Sequence, residues 1–290
     1  MPTKIEKDEL TGRETTGHEW DGIKELNNPL PSWWLYVFYA TIVLAVIWFI
    51  LYPSIPGVNG YFKGVLGLQQ RVILDQQMER AAARQAEFAS GIQEASLSEI
   101  IEDPQLLSFS VHGGRAAYAD NCAPCHAQGG AGQAGGYPVL ADDDWLWGGT
   151  LDDIYQTLLV GIRHDNDETR YSEMPAFGAL DILTNEEIED VTQYVLNLSG
   201  QDADAQAVAR ATETFDIQCA ACHGPAGEGD RLLGAPALND QIWLYGSEPE
   251  QITAQIAEPQ HGVMPAWQTR LDDTTIKMLT VYVHSLGGGE

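Results

Sequence analysis

The chain has 290 residues, enough for about two domains. It carries 15 Lys and Arg against 42 Asp and Glu, a formal net charge of −27, and its pI is near 4.3. This balance argues against nucleic acid as a partner and favours a basic soluble protein, drawn in by electrostatic steering.

In chain order, residues 1–31 read as a polar arm and residues 32–52 as a membrane anchor. No charge occurs from Trp33 to Tyr52, and at about 1.5 Å per residue that stretch covers a bilayer core. Trp33, Trp34 and Tyr52 sit at its ends, where aromatic residues favour the interface. A cleaved signal peptide does not fit, because a long polar arm precedes the span, the span is too long, and no A-x-A cleavage pattern directly follows it. Lys4, Lys7, Arg13 and Lys24 lie before the span, whereas only Lys63 and Arg71 follow closely. The positive-inside rule therefore sets the N-terminus in the cytoplasm. Pro53, Pro56 and Gly57 end the span. Residues 53–107 read as a stalk or linker, with a polar helical pattern from Leu68 to Ala89.

The remainder is a repeat of two copies, residues 108–200 and 201–290. Cys122-Ala123-Pro124-Cys125-His126 and Cys219-Ala220-Ala221-Cys222-His223 use all four cysteines. C-x-x-C-H is the attachment pattern of c-type haem: two thiols join the haem and the His binds iron. A zinc ribbon would pair its C-x-x-C motifs at about 15–20 residues and needs no trailing His. Two covalent haem c groups make the chain an electron carrier. Covalent haem attachment belongs to the oxidising side of the membrane, so everything after Tyr52 is expected in the periplasm.

Both copies continue alike. Tyr118 and Phe215 lie four residues before the first Cys, and Pro138 and Pro236 follow in matching loops. Trp145 and Trp147 match Trp243 and Tyr245, and are expected to wall the haem crevices. Glu173-Met174-Pro175-Ala176-Phe177 matches Val263-Met264-Pro265-Ala266-Trp267. Each copy closes with a helix, Thr184 to Leu198 and Asp273 to Leu286; the first opens on a Thr184/Glu187 capping box.

An electron-carrying iron wants six ligands, and His with Met supplies them at a raised potential. His126 and His223 are the proximal candidates; Met174 and Met264 are the candidates for the sixth position. His164 and His261 are the alternatives to Met. The default pairs Met174 with the first haem and Met264 with the second. Two copies packed about a pseudo-two-fold could exchange their Met loops, and spacing does not choose between these arrangements. The carbonyls of Pro138 and Pro236 are candidates to orient the proximal imidazoles. No catalytic residues are identified.

The two copies resemble class I cytochrome c domains, so the fold class is mainly α: one N-terminal transmembrane helix followed by two tandem domains of that kind. Thr16-Gly17-His18-Glu19-Trp20-Asp21-Gly22, Leu26-Asn27-Asn28-Pro29-Leu30-Pro31 and the pair Trp33-Trp34 resemble the dihaem (CcoP/FixP) subunit family of cbb3-type cytochrome c oxidase; Gly161-Ile162-Arg163-His164 is also similar to that family. The resemblance implies a subunit in a bacterial inner membrane. It implies electrons taken from a donor cytochrome c and passed to a monohaem cytochrome c subunit. From there they reach a haem–copper catalytic subunit, where oxygen is reduced and protons are pumped. A free-standing anchored dihaem shuttle is the alternative. A dihaem peroxidase or gas sensor would need an open iron, which Met at both sixth positions opposes.

Overall fold

The computed structural model describes residues 4–58 and 60–290. The first three residues of the predicted arm and residue 59 of the predicted stalk lie outside the described residues. The chain divides into two compact units, Met1–Arg84 and Gln85–Glu290.

In the first unit, strands β1 (Thr15–Trp20) and β2 (Ile23–Leu26) form an antiparallel hairpin. Asp21 at φ 50° and Gly22 at φ 85° make its two-residue turn, the left-handed pair that matches the twist of hairpin strands. Lys24 and Glu6 form an ion pair beside it. The arm is thus folded where the sequence reading has only a polar tail. Helix α1 (Ser32–Leu51) follows, apolar on every face and with no buried residue. Length and composition make it a candidate membrane span. Trp48 stacks on Tyr52 at its end. A short hairpin, β3 (Pro56–Gly57) and β4 (Gly60–Tyr61), comes next. Helix α2 (Gln70–Glu94) contains the boundary between the two units.

The second unit is built from nine further α-helices among the described residues. They are α3 (Leu97–Glu102), α4 (Pro104–Asn121), α5 (Ala123–His126), α6 (Leu151–Val160) and α7 (Asn185–Leu198), then α8 (Ala205–Gln218), α9 (Ala220–His223), α10 (Pro249–Ala257) and α11 (Asp273–His284). Side-chain caps start most of them. Ser96 and Thr184 form reciprocal capping boxes with Glu99 and Glu187, and Asp103, Thr150, Asp204 and Asp272 accept from first-turn amides.

Packing crosses the repeat. The first copy contributes α4 to α7 and the second α8 to α11, yet α4 and α6 pack against α11, while α8 packs against α7 and α7 against α10. One core joins Tyr118, Ile154 and Leu158 to Trp267, Ile276 and Leu279. The other joins Phe177, Ile188 and Val191 to Phe215, Ile252 and Ile256. Each lobe therefore holds the first helices of one copy and the last helix of the other.

The aromatic before each Cys pair follows this crossing. Tyr118 meets Tyr282 at 5.3 Å, and Phe215 stacks on Tyr194 at 4.6 Å. Gly114 of α4 faces the Met278 carbonyl and Tyr282, with no room for a Cβ, so two helices distant in sequence pack backbone to backbone. On its other side α11 buries Val281 with Ile92, Leu97 and Ile100. Lys277 donates to the Gln93 and Ala95 carbonyls at 2.9 Å each, placing a cation at the C-terminus of α2.

Candidate functional site

Each C-x-x-C-H motif is a single helical turn at the end of a longer helix. The Cys122 amide donates to Tyr118 and the His126 amide to Cys122; Cys219 and His223 repeat both bonds with Phe215 and Cys219. That turn brings two sulfurs and one imidazole to the same side. Cys122 and Cys219 are buried, Cys125 and Cys222 exposed. Burial, then the neighbouring Cys of each pair, pushes the Cys122 and Cys219 thiols up to about 11. After the motif the chain turns at left-handed backbone, Ala127 at φ 59° and Gly224 at φ 76°. In the first copy the Tyr118 hydroxyl secures this turn by donating to the Ala127 carbonyl at 2.9 Å; Phe215 has no hydroxyl to do so.

His126 Nδ1 lies 3.1 Å from the Pro138 carbonyl and His223 Nδ1 lies 2.9 Å from that of Pro236. A carbonyl only accepts, so Nδ1 carries the proton and Nε2 keeps its lone pair for a metal. Burial lowers both imidazole pKa values, opposed by these same hydrogen bonds. The neutral, ligating form is the favoured one.

Both motifs open onto one continuous cavity of about 1030 Å³, lined also by Met174, Met264 and Trp243. Thiol pairs, oriented imidazoles, thioethers and a mostly apolar wall form a donor set that fits haem c. Met264 lies against the core that contains Cys122, and Met174 against the core that contains Cys219.

The backbone explains this crossing. Ile162 and Met264 exchange amide–carbonyl bonds of 2.9 and 3.0 Å, and the Trp267 amide donates to Leu158 at 2.9 Å. Gly161, at φ +71°, sits so close to the Met264 carbonyl that a Cβ would collide with it. The loop of the second Met is thus bonded to the end of α6. In the other half, Phe177 donates to Ile256 at 3.2 Å and Gly178 to Ala257 at 3.1 Å, so the first Met loop is bonded to α10.

Of the four expected aromatic walls, Trp243 and Tyr245 line the cavity, with Leu146 in the first copy; Trp145 and Trp147 do not line it. Trp145 instead donates its indole N–H to the Gly288 carbonyl, and Trp147 stacks under Arg170 at 5.4 Å. The chain end and an arginine hold these rings away from the crevice. His261 lines the cavity and His164 does not. Arg163 also lines it and was assigned no role from sequence. Its only signal there was its place in the Gly-Ile-Arg-His stretch.

Comparison with known proteins agrees along the whole chain. Residues 12–59 match the family model described as the N-terminal domain of cytochrome oxidase-cbb3, FixP. Residues 111–199 match cytochrome c, and residues 206–283 match cytochrome c oxidase, cbb3-type, subunit III. The cbb3-type cytochrome c oxidase subunit CcoP of Azospirillum sp. (strain B510) is 50% identical, covering 98% of each chain.

The chain belongs to the CcoP/FixP family.

The subunit FixP of Sinorhizobium medicae is 49% identical over 98% of this chain and 97% of its own. CcoP of Cereibacter sphaeroides is 46% identical over the full length of both. Membership makes this an electron-transferring cytochrome c subunit of a cbb3-type oxidase, a haem c-binding chain with one candidate transmembrane helix near its N-terminus. The free-standing shuttle is set aside by this membership.

Proposed function

We propose that the chain carries two haem c groups with crossed ligation and is the electron entry of its oxidase. Cys122 and Cys125 would attach one haem, and His126 and Met264 would hold its iron. Cys219 and Cys222 would attach the other, and His223 and Met174 would hold its iron. The observation that carries this pairing is that each Met packs on the core holding the other copy's Cys pair. The haem iron, when bound, supplies a one-electron couple, which thioether ligation raises in potential.

The chain's own residues keep that couple fast. Pro138 and Pro236 hold the imidazoles in one tautomer, and the backbone bonds at Ile162 and Ile256 fix the Met loops. Both motifs line one cavity, which puts the two sites side by side. An acidic chain draws in a basic donor cytochrome c, and the electrons pass on to a monohaem subunit and then to a haem–copper subunit. With α1 in a bacterial inner membrane, the positive residues of the arm put the N-terminus in the cytoplasm and residues 53–290 in the periplasm.

One-haem variants test the pairing. Cys219→Ala with Cys222→Ala leaves only the first haem attached. Adding Met264→Ala should then open its iron to carbon monoxide, and adding Met174→Ala should not. The reverse result would restore own-copy ligation. For the role in the complex, the native-membrane preparation should contain a haem–copper subunit and take up oxygen with reduced cytochrome c. A chain that purifies alone and supports no oxygen uptake would refute that role.

A further inference from the structure

One cation reaches both Met loops. Arg163 Nε donates to the Gly262 carbonyl at 2.7 Å, and Nη1 donates to the Ser172 carbonyl at 2.8 Å. These carbonyls occupy equivalent places: Gly262 lies two residues before Met264, and Ser172 two residues before Met174. Arg163 stands at left-handed backbone, φ 49°, a region L side chains rarely adopt. Its neighbours hold it there: its amide donates to the Arg170 carbonyl at 2.9 Å, and Ile162 before it is doubly bonded to Met264. Conformations held in this way by their surroundings cluster at functional positions.

The device is not duplicated. The register that pairs Leu158 with Trp267 and Ile256 with Phe177 puts His261 where the first copy has Arg163. Among the described residues, the side chain of His261 makes no hydrogen bond to either Met loop. A pseudo-symmetric pair of loops therefore depends on one asymmetric guanidinium, whose rigid fork can serve two acceptors at once.

We propose that Arg163 is a positioning residue for both Met loops together, and so links the coordination state of the two irons. The second clause rests on the Met ligation proposed above; the first does not. Loss of the fork frees both loops in one step, so the two thioethers leave their irons in parallel. Loss of the positive charge also favours the oxidised state at both sites, so both potentials fall.

The test uses the full haem-loaded chain carrying Arg163→Gln or Arg163→Lys. Amide hydrogen exchange of the Met264–Trp267 and Phe177–Gly178 segments, whose amides are bonded to Ile162, Leu158, Ile256 and Ala257, reads the loops without reference to ligation. Both segments should exchange about tenfold faster in either variant, the factor carried by one charge-assisted hydrogen bond of ordinary strength. Carbon monoxide binding should appear at both irons to the same extent, and Arg163→Gln should lower both midpoint potentials. Arg163→Lys retains the charge and so most of the potential, but an ammonium lacks the fork and the loops stay loose. Faster exchange in one segment only, or in neither, overturns the proposal; so does opening of a single iron. Met174→Ala and Met264→Ala are run beside it. If they open no iron, the ligation reading fails while the exchange data still decide the clamp. If each opens one iron and the Arg163 variants open none, the link between the irons fails by itself.

Discussion

Tyr194 and Phe215 come from different copies of the repeat and stack with ring centroids 4.6 Å apart, so their energetic coupling measures the crossing of the lobes directly. Phe215 is fully buried, and Phe215→Leu should cost about 1–3 kcal/mol. Tyr194→Leu should cost a similar or smaller amount, because Tyr194 is only partly buried. The double variant should lose less than the two together. The difference is the stacking contribution, about 0.5–1.5 kcal/mol for an aromatic pair beyond area burial. Urea unfolding of the haem-loaded chain in mild detergent, followed by haem absorbance and far-UV circular dichroism, supplies the four stabilities; equal m-values keep them comparable. The control cycle pairs Tyr118 with Tyr194, which a conventional own-copy cytochrome would bring together. Here Tyr118 packs on Tyr282 instead, and that cycle should be additive within about 0.5 kcal/mol. Coupling in the control cycle with none between Tyr194 and Phe215 would refute the crossed packing.

Leu279 has no exposed surface in the core that joins α11 to the first copy; Leu279→Ala should cost about 2–5 kcal/mol, read by thermal unfolding. Asp272 accepts the Thr275 amide at 2.9 Å as the cap of α11, and Asp272→Ala should lose about 1 kcal/mol in the same assay. Burial, then the carboxylates of Asp240 and Asp142, hold Asp144 above its ordinary value near 3.8, against the pull of Arg231. A raised carboxylate pKa means a contribution present below that value and lost as pH rises. Asp144→Asn should therefore melt higher than the parent at neutral pH, and the gap should close as pH falls towards 4. A gap that widens on acidification would reverse the sign of that argument.

Much of this protein is written locally. Motif spacing alone gives the candidate haem attachment residues, because two thiols and an imidazole must fall on one helical turn. The uncharged run from Trp33 to Tyr52 marks α1, since a bilayer core needs that length. The caps at Thr184 and Asp272 are local hydrogen bonds between neighbours in sequence. The arm's hairpin is also local, since Asp21-Gly22 between Trp20 and Ile23 is a strong two-residue turn signal.

Which helix closes which lobe was not legible. Ile188, Val191, Tyr194 and Val195 of α7 repeat the spacing of Ile276, Leu279, Tyr282 and Val283 of α11, so periodicity suits either helix to either partner. Only close approach in three dimensions separates them: Gly114 against Met278 and Tyr282, Ile162 bonded to Met264, Gly178 bonded to Ala257. The same holds for Trp145 and Trp147, whose repeat positions promised haem walls. Their partners, the Gly288 carbonyl and Arg170, lie far away in sequence or carry no pattern. Arg163 reaches Gly262 across the whole second motif. Composition and spacing determine which groups a chain can offer to a haem; the packing of two similarly patterned copies decides which copy offers them.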